Sequence, residues 1–392
     1  MRGMVARSPA PVLKAAVSVH GRIVEIGREA WDACAGPTGD PFLSFDFLDA
    51  LEESGCAVER TGWGPRHLAV RDEAGRVAGV MPLYLKGHSQ GEYVFDHAWA
   101  QAYMDAGGRY YPKLLSAVPF TPVTGPRVIA RPDADEAAVQ DMLLGGALTL
   151  ADELGVSSLH VNFPTQGEWE RLGAHGLLKR QDVQYWWENP GYDSFDDFLA
   201  ALSSSRRKTV RRERREAQAG RDIIALTGSD LCEEHWDAFF AFYTDTGSRK
   251  WGRPYLNRRF FSFLGERMAD KVVLVMARRD GRWIAGALNL VGRDALYGRW
   301  WGALEHVPFL HFELCYHQAI EWAIARRIGR VEAGAQGEHK IARGYLPRPV
   351  YSAHWIADPA LRAPVARYLA QERSAVEREM QALEAEYSPF KA

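Results

Sequence analysis

Cysteine is scarce in this 392-residue sequence, and the four present, Cys34, Cys56, Cys232 and Cys315, show no paired spacing. A disulfide-stapled secreted scaffold and a zinc knuckle are both excluded, no metal is expected, and a reducing, cytoplasmic setting follows. Uninterrupted apolar runs of about 18 residues are also missing, so no integral membrane segment is expected. Near the amino terminus Arg2 and Arg7 precede an apolar stretch that Pro9, Pro11 and Lys14 break before a signal-peptide core can form. Charge of one sign is not in excess: 48 basic against 50 acidic side chains exclude a chain-wide polycation. A Gly-x-Ser-x-Gly nucleophile elbow is absent, which removes the commonest serine-hydrolase reading.

What is present points to a large folded core. The chain is 47% hydrophobic and carries 13 Trp, 15 Tyr and 17 Phe, far too many for a disordered segment. Its length suggests two domains, and a faint internal repeat gives that number a cause. HLAVRDEAGRVAGVMPLY from His67 matches VLVMARRDGRWIAGALNL from Val273: an apolar run, a charged Asp/Gly turn, then Ala-Gly and a second apolar run. Both read as β-hairpins. Each half then carries a helix ending near glycine and a short strand, Ala147–Phe163 and Ala319–Ala335, with Gly155 and Gly329 as expected left-handed caps. A third echo, SFDFLDAL from Ser44 and SFDDFLAAL from Ser194, offers serine caps in both halves. Helices, an antiparallel hairpin, a helix and a strand in each half predict an α+β fold. The expected limits are 17–190 and 191–357 for the two domains and 358–392 for a helical tail. A basic helix over 194–220 should bridge the halves. The first half is longer by a proline-rich stretch from Pro112 to Pro132, read either as a surface excursion or as a loop covering substrate.

Four groups of residues could carry chemistry. The run Arg206, Arg207, Lys208, Arg211, Arg212, Arg214, Arg215 outnumbers Glu213 and Glu216, so Arg207 and Arg211 are candidates for holding phosphates. Glu313, His317 and Glu321 repeat at i, i+4 and i+8, a polar stripe with Glu313 as a candidate base and His317 beside it. Cys315, among apolar neighbours, reads as core. In EAGAQGEHKIARG, the residues Glu332, Glu338, His339, Lys340 and Arg343 lie among glycines at a strand end. Glycine lets a backbone approach a ligand there, so Glu338 and His339 are candidate bases and Lys340 and Arg343 candidate anion binders. In the first half Asp96, His97, Tyr103 and Arg109 surround Gly107-Gly108, a weaker phosphate-binding candidate.

The duplicated halves, PFTPVTGPR (Pro119 to Arg127), FLHFELCYHQAIEWAI and EAGAQGEHKIARG together resemble the FemAB-like branch of the GNAT acyltransferase superfamily, of the peptidoglycan biosynthesis or recognition type. The resemblance implies two tandem GNAT-like domains around a central cleft. It also implies transfer of an acyl or aminoacyl group from an activated thioester or ester to an amine, with a strand amide stabilising the oxyanion. Acyl-CoA or aminoacyl-tRNA would then be the co-substrate, with no tightly bound cofactor, and a cell-envelope precursor or other small molecule the acceptor. One departure bears on the donor. Where acetyl-CoA-dependent relatives carry a Gln/Arg-x-x-Gly-x-Gly/Ala loop, this chain has GALEHVPFL between Trp301 and His311. An aminoacyl-tRNA donor lacks that requirement and would give the arginine run RNA phosphates to meet. From a different class, a recognition protein binding peptidoglycan fragments or nucleic acid without catalysis would use the same scaffold.

Overall fold

The computed structural model describes residues 16–250, 254–335 and 337–391. The amino-terminal stretch with Arg2 and Arg7, Trp251 of the aromatic segment, Gln336 and Ala392 lie outside the described residues.

Both hairpins form where the repeat places them. His67–Arg71 pairs with Val77–Met81, and Val272–Arg279 with Arg282–Val291. In the second hairpin Asp280 and Gly281 both have positive φ (50° and 76°), the turn that suits the right-handed twist of its strands. Downstream each half repeats a second relation, a strand running parallel to the one that follows its helix. Lys113–Ser116 lies beside Ser158–Asn162, after the helix Glu136–Leu154. Ala295–Ala303 lies beside Arg330–Ala335, after the helix Gln318–Ala325.

The last strands are exchanged between halves. Leu178–Glu188 pairs with the second half's Arg330–Ala335, while Leu346–Ile356 pairs with the first half's Ser158–Asn162 and with Leu178–Glu188. One eleven-stranded sheet results, from Asp222–Leu226 at one edge to Trp63–Pro65 at the other, and a four-stranded sheet holds the first hairpin. At the exchange His354 lies opposite His160 with the Nδ1 atoms 2.7 Å apart, while Ser158 and Ser352 bond the two Nε2 atoms. Burial drives both imidazoles well below their ordinary pKa, so the pair is neutral and shares one N–H. Side chains reinforce the joint: Phe42 packs edge-on against Tyr297 at 5.2 Å and Phe47 against Phe260 at 5.8 Å, within one hydrophobic core that crosses both halves.

Several expectations are met and three are corrected. Ser44 and Ser194 cap their helices through Phe47 N and Asp197 N, and the tail forms one helix, Pro359–Tyr387, capped by Asp358. The basic segment, however, is two helices, Phe195–Ala201 and Ser204–Gln218. Leu202 turns extended (ψ 151°) to bridge Phe390 of the tail, and that breaks the helix. Gly155 takes the left-handed cap (φ 59°), but in the second half Arg327 does so (φ 56°), not Gly329. Finally, the proline-rich stretch is no surface excursion. Residues 117–123 are buried, and Arg127, fully buried, donates to the carbonyls of Val123, Pro126 and Asn162 at 2.5–3.0 Å. Burial without those acceptors would cost several kcal/mol, so the arginine fixes the loop's path between the halves.

Candidate active site

Strands Ala295–Ala303 and Arg330–Ala335 share register only through Tyr297 and Glu332 and then part. Beyond that point the facing edge of Ala295–Ala303 has no strand bonded to it among the described residues. The same strand is bulged against Arg282–Val291: Leu288 faces Trp300 and Asn289 faces Gly298, leaving Arg299 as the extra residue. A bulge bends a strand and re-aims its groups, and here it does so at the mouth of the splay. Gly334 at φ 76° lets the departing strand turn away. A cavity of about 90 Å³ fills the fork, walled by Leu288, Asn289, Arg299, Trp300, Trp301, His311, Cys315, Tyr316 and Ala333.

Charge is concentrated at the closed end. Arg299, 2% exposed, donates through Nη1 to the Gly298 and Glu332 carbonyls at 2.9 and 3.2 Å. Its Nη2 lies 3.6 Å from the Glu332 carboxylate, which also accepts from Arg330 Nε at 3.0 Å. Burial raises the pKa of Glu332 even so. At this junction Glu332 Oε2 is buried with no hydrogen-bond partner among the described residues, as are side-chain atoms of Ser116, Thr121, Asn162 and Gln184 elsewhere in the protein. Such atoms are costly unless water or a ligand meets them.

The glycine-punctuated segment covers the open end. Glu338–Arg343 is a 3-10 turn between Gly337 (φ 112°) and Gly344 (φ 94°). Lys340 turns inward, 3% exposed, and its Nζ donates to the carbonyls of Ala333 and Gly334 at 2.9 Å each. Burial pushes this amine down to about 7, with Arg299 adding to the effect and Cys315 opposing it. His339 is solvent-facing, with Nε2 3.0 Å from the Tyr316 hydroxyl and its ring 5.6 Å from that of Phe312. Partial burial, then Arg343 and Lys340, lower its pKa. Glu338 is exposed on the rim. Arg343 is directed the other way. It is held by Glu213 at 2.6 and 3.0 Å and stacks over Phe312 at 3.4 Å, so it braces the turn and is no anion binder.

The helix behind the cavity contains a π-turn over Glu313–His317. The expected polar stripe exists in register but not in solvent: Glu313 and His317 are fully buried. Glu313 accepts from Arg214, Gln218 and Gln318, and Arg214 spans to Glu321 at 2.5 Å. The carboxylate lies outside the cavity lining, so its geometry is that of an anchor for the π-turn, not of a base beside a substrate. His317 is 3.6 Å from Glu213, and burial lowers its pKa. A π-turn is an insertion that costs helix hydrogen bonding, and such turns gather at functional sites.

The basic helix therefore divides its charges. Arg214 is spent inward, and Arg211 and Arg212 make long, exposed pairs with Asp196 and Glu216. Arg206, Arg207, Lys208 and Arg215 have no carboxylate within ion-pairing distance among the described residues. An open groove of about 820 Å³ runs beside Arg211, Arg214 and Arg215.

The first-half candidates are not brought to the splay. Asp96 is buried against Lys113 and Tyr110, and although burial opposes it, Lys113 holds the carboxyl far below the ordinary range. His97 and Arg109 are exposed, and Tyr103 bonds Asp358 of the tail at 3.1 Å. Gly107-Gly108 ends the helix His97–Asp105 and opens none, so no amide cradle forms there. Asn289, Arg299 and the bulge are not among the residues that sequence reasoning singles out. The available signal is Gly298, one of two glycines within YGRWWGA, since a glycine inside a strand pattern marks a bulge or a close backbone approach.

No described helix is long and apolar enough to cross a membrane. No curated protein matches the sequence. Among solved structures, FemX superposes with a TM-score of 0.53 at 13% identity, over 90% of this chain and 100% of that one. A conserved protein of unknown function from Bacteroides thetaiotaomicron gives 0.51 at 12%, over 88% and 100%. The C-terminal domain of a putative lysylphosphatidylglycerol synthetase from Agrobacterium fabrum gives 0.50 at 11%, over 82% and 96%. These similarities establish the fold of two GNAT-like domains. The FemAB-like family model, described as peptidoglycan biosynthesis/recognition, matches residues 22–392, and the chain belongs to that family.

Proposed function

We propose that the protein transfers an acyl or aminoacyl group from an activated ester or thioester to an amine, with the donor carbonyl held in the splay of the second half. The observation that carries this reading is the fork beyond Tyr297 and Glu332, where a strand edge with no strand bonded to it among the described residues and a bulge open on one cavity, and the Lys340 amine bonds the carbonyl of its wall residue Ala333. A backbone N–H that no neighbouring strand engages stabilises the oxyanion that forms when an amine attacks a carbonyl. Lys340, poised near neutrality, holds or releases a proton at the donor's leaving atom. His339, at the mouth, takes the proton from the acceptor amine, with Tyr316 fixing its ring. Glu338 on the rim attracts the protonated acceptor, and Glu313 keeps the π-turn in place.

Membership of the FemAB-like family supports a cell-envelope precursor as the acceptor and a cytoplasmic site of action. The cations left without carboxylates on Ser204–Gln218 support a polyanionic donor, and aminoacyl-tRNA fits them better than acetyl-CoA fits GALEHVPFL. The test is amide formation from acyl-CoA, from aminoacyl-tRNA and from an aminoacyl thioester, with muropeptide precursors as acceptors. Product from at least one donor, abolished in His339→Gln, supports the reading. Binding of muropeptide without product from any donor overturns it in favour of a recognition protein.

A further inference from the structure

One wall of the fork holds an acceptor that no donor meets. Asn289, 1% exposed, donates its amide N–H groups to the carbonyls of Val273 and Ala287 at 3.2 and 3.4 Å, while its Oδ1 has no partner among the described residues. Those two bonds fix the orientation of the amide, with its nitrogen on the strand carbonyls and its oxygen turned away from them. A buried acceptor of this kind calls for an N–H or O–H from whatever occupies the fork.

A missing side chain shows where the oxygen faces. Gly298 stands opposite Asn289 at the bulge and does not have a positive φ, so its backbone would accept alanine. A Cβ added there would lie 3.2 Å from Asn289 Oδ1, 3.7 Å from the Glu332 carbonyl oxygen and 3.9 Å from Ala333 Cα. That point is therefore inside the fork, between the strands Ala295–Ala303 and Arg330–Ala335. Asn289, Gly298 and Ala333 all belong to the wall of the cavity of about 90 Å³.

We propose that Asn289 is a specificity-determining residue that receives the α-amino group of the donor, and that the group transferred is a small aminoacyl group, glycyl or alanyl. The inference rests on the transferase reading and deepens it by naming the acyl class. A plain acyl chain such as propionyl carries no N–H or O–H and would leave Oδ1 buried and unmet, which weakens its binding. A hydroxyl has a single hydrogen to offer. An amino group has more than one, so it meets Oδ1 while still facing the Glu332 carbonyl, which already accepts from Arg299 Nη1 at 3.2 Å. An α-amine titrates at about 7.7–8.0, so it can enter beside the Arg299 cation uncharged. Size sets the other limit. An apolar cavity of about 150 Å³ is the size that binds benzene. The fork is smaller, so it takes the methyl group of alanyl and excludes the ring of phenylalanyl.

The experiment uses the full chain, benzylamine as acceptor, and the glycyl, alanyl, propionyl, lactyl and phenylalanyl thioesters of N-acetylcysteamine as donors. Amide formation is measured for wild type, Asn289→Leu and Gly298→Ala, and each rate is divided by the uncatalysed rate of the same donor. Donors are compared on one preparation, so partial loss of folded protein cancels and a destabilised variant still reports. Wild type should prefer alanyl to propionyl and to lactyl by about tenfold or more, and should reject phenylalanyl. Asn289→Leu keeps the bulk and removes the oxygen, whereas Gly298→Ala fills the point beside it. Each should lower alanyl transfer and bring its preference over propionyl close to one. Propionyl, lactyl or phenylalanyl used by wild type as well as alanyl overturns the inference and leaves the transferase reading standing. An alanyl preference kept in either variant overturns the assignment to Asn289. No amide above the uncatalysed rate from any of these donors overturns the transferase reading as well.

Discussion

Replacing Lys340 by Met tests the electrostatics of the fork without requiring any knowledge of substrate. The perturbation keeps an unbranched stem of similar length and removes the amine. Lys340 is buried, and its amine is pushed down to about 7 from 10.5. That gap corresponds to about 5 kcal/mol of preference for the neutral form in the folded protein. The sign follows from proton counting. Between pH 7 and 10.5 the unfolded chain carries this proton and the folded chain does not, so stability rises with pH across that window. The contribution is complete above 10.5 and is lost as pH falls to about 7. Wild type should therefore gain about 3 kcal/mol more than Lys340→Met between about pH 7 and about pH 9.5. Urea unfolding at the two pH values, taken as a difference of differences, reads this directly, and buried groups common to both proteins, such as Lys86 and Glu92, cancel. At about pH 7 the variant loses two hydrogen bonds, worth about 1–1.5 kcal/mol each, but sheds the larger cost of a poorly solvated cation. It should be no less stable than wild type while losing turnover. Equal pH dependence in the two proteins would refute the reasoning, because Lys340 would then be an ordinary solvated lysine with no proton to exchange near neutrality.

Further outcomes are expected elsewhere. Arg214→Ala leaves the fully buried Glu313 with only two amides and should cost about 3–5 kcal/mol in thermal or urea melts, whereas Glu313→Gln should cost less. Joint substitution of Arg206, Arg207, Lys208 and Arg215 by Ala should leave the melting temperature nearly unchanged. Filter binding of tRNA across salt concentrations should then show a shallower slope, by about 0.7–0.9 for each phosphate the helix no longer neutralises. Gly302→Ala should destabilise strongly, since its added Cβ would sit 2.2 Å from the Phe242 backbone where the helix Glu233–Lys250 crosses the strand. His339, lowered by burial and by Arg343 and Lys340, should keep the wild-type transfer rate level down to pH values below 6.5, and a rate that already falls at or above 6.5 would remove it as the proton acceptor.

Much of the fold can be read from local sequence. The hairpins, the serine caps and the tail helix depend on nearby residues: a turn at Asp280-Gly281, an oxygen at Ser44 or Ser194, an aspartate at Asp358. The exchange of Leu178–Glu188 and Leu346–Ile356 has no local mark, since pairing partners this far apart in sequence, such as Arg330 with Glu188 and Ser352 with Asn162, leave no periodicity behind. The same divide runs through the site. EAGAQGEHKIARG announces itself by glycines beside titratable groups, and Lys340 and His339 do reach the fork. Which charges face inward is a tertiary matter. Arg343 is captured by Glu213 and Glu313 by Arg214, through contacts that a helical wheel does not contain. Cys315 packs against the second half's core as its apolar neighbours suggest, but the π-turn that also puts it in the cavity wall is not encoded in hydrophobic period.

The central claim is that the fork beyond Tyr297 and Glu332 is where the acyl group sits. Ala333→Leu adds an isopropyl group to the wall of a cavity of about 90 Å³, at a half-buried position that flanks the second half's core without belonging to it. Amide formation, measured in single turnovers with the donor that wild type uses, should fall to background in this variant while its unfolding midpoint stays close to that of wild type. Amide formed at the wild-type rate with the cavity filled would contradict the account.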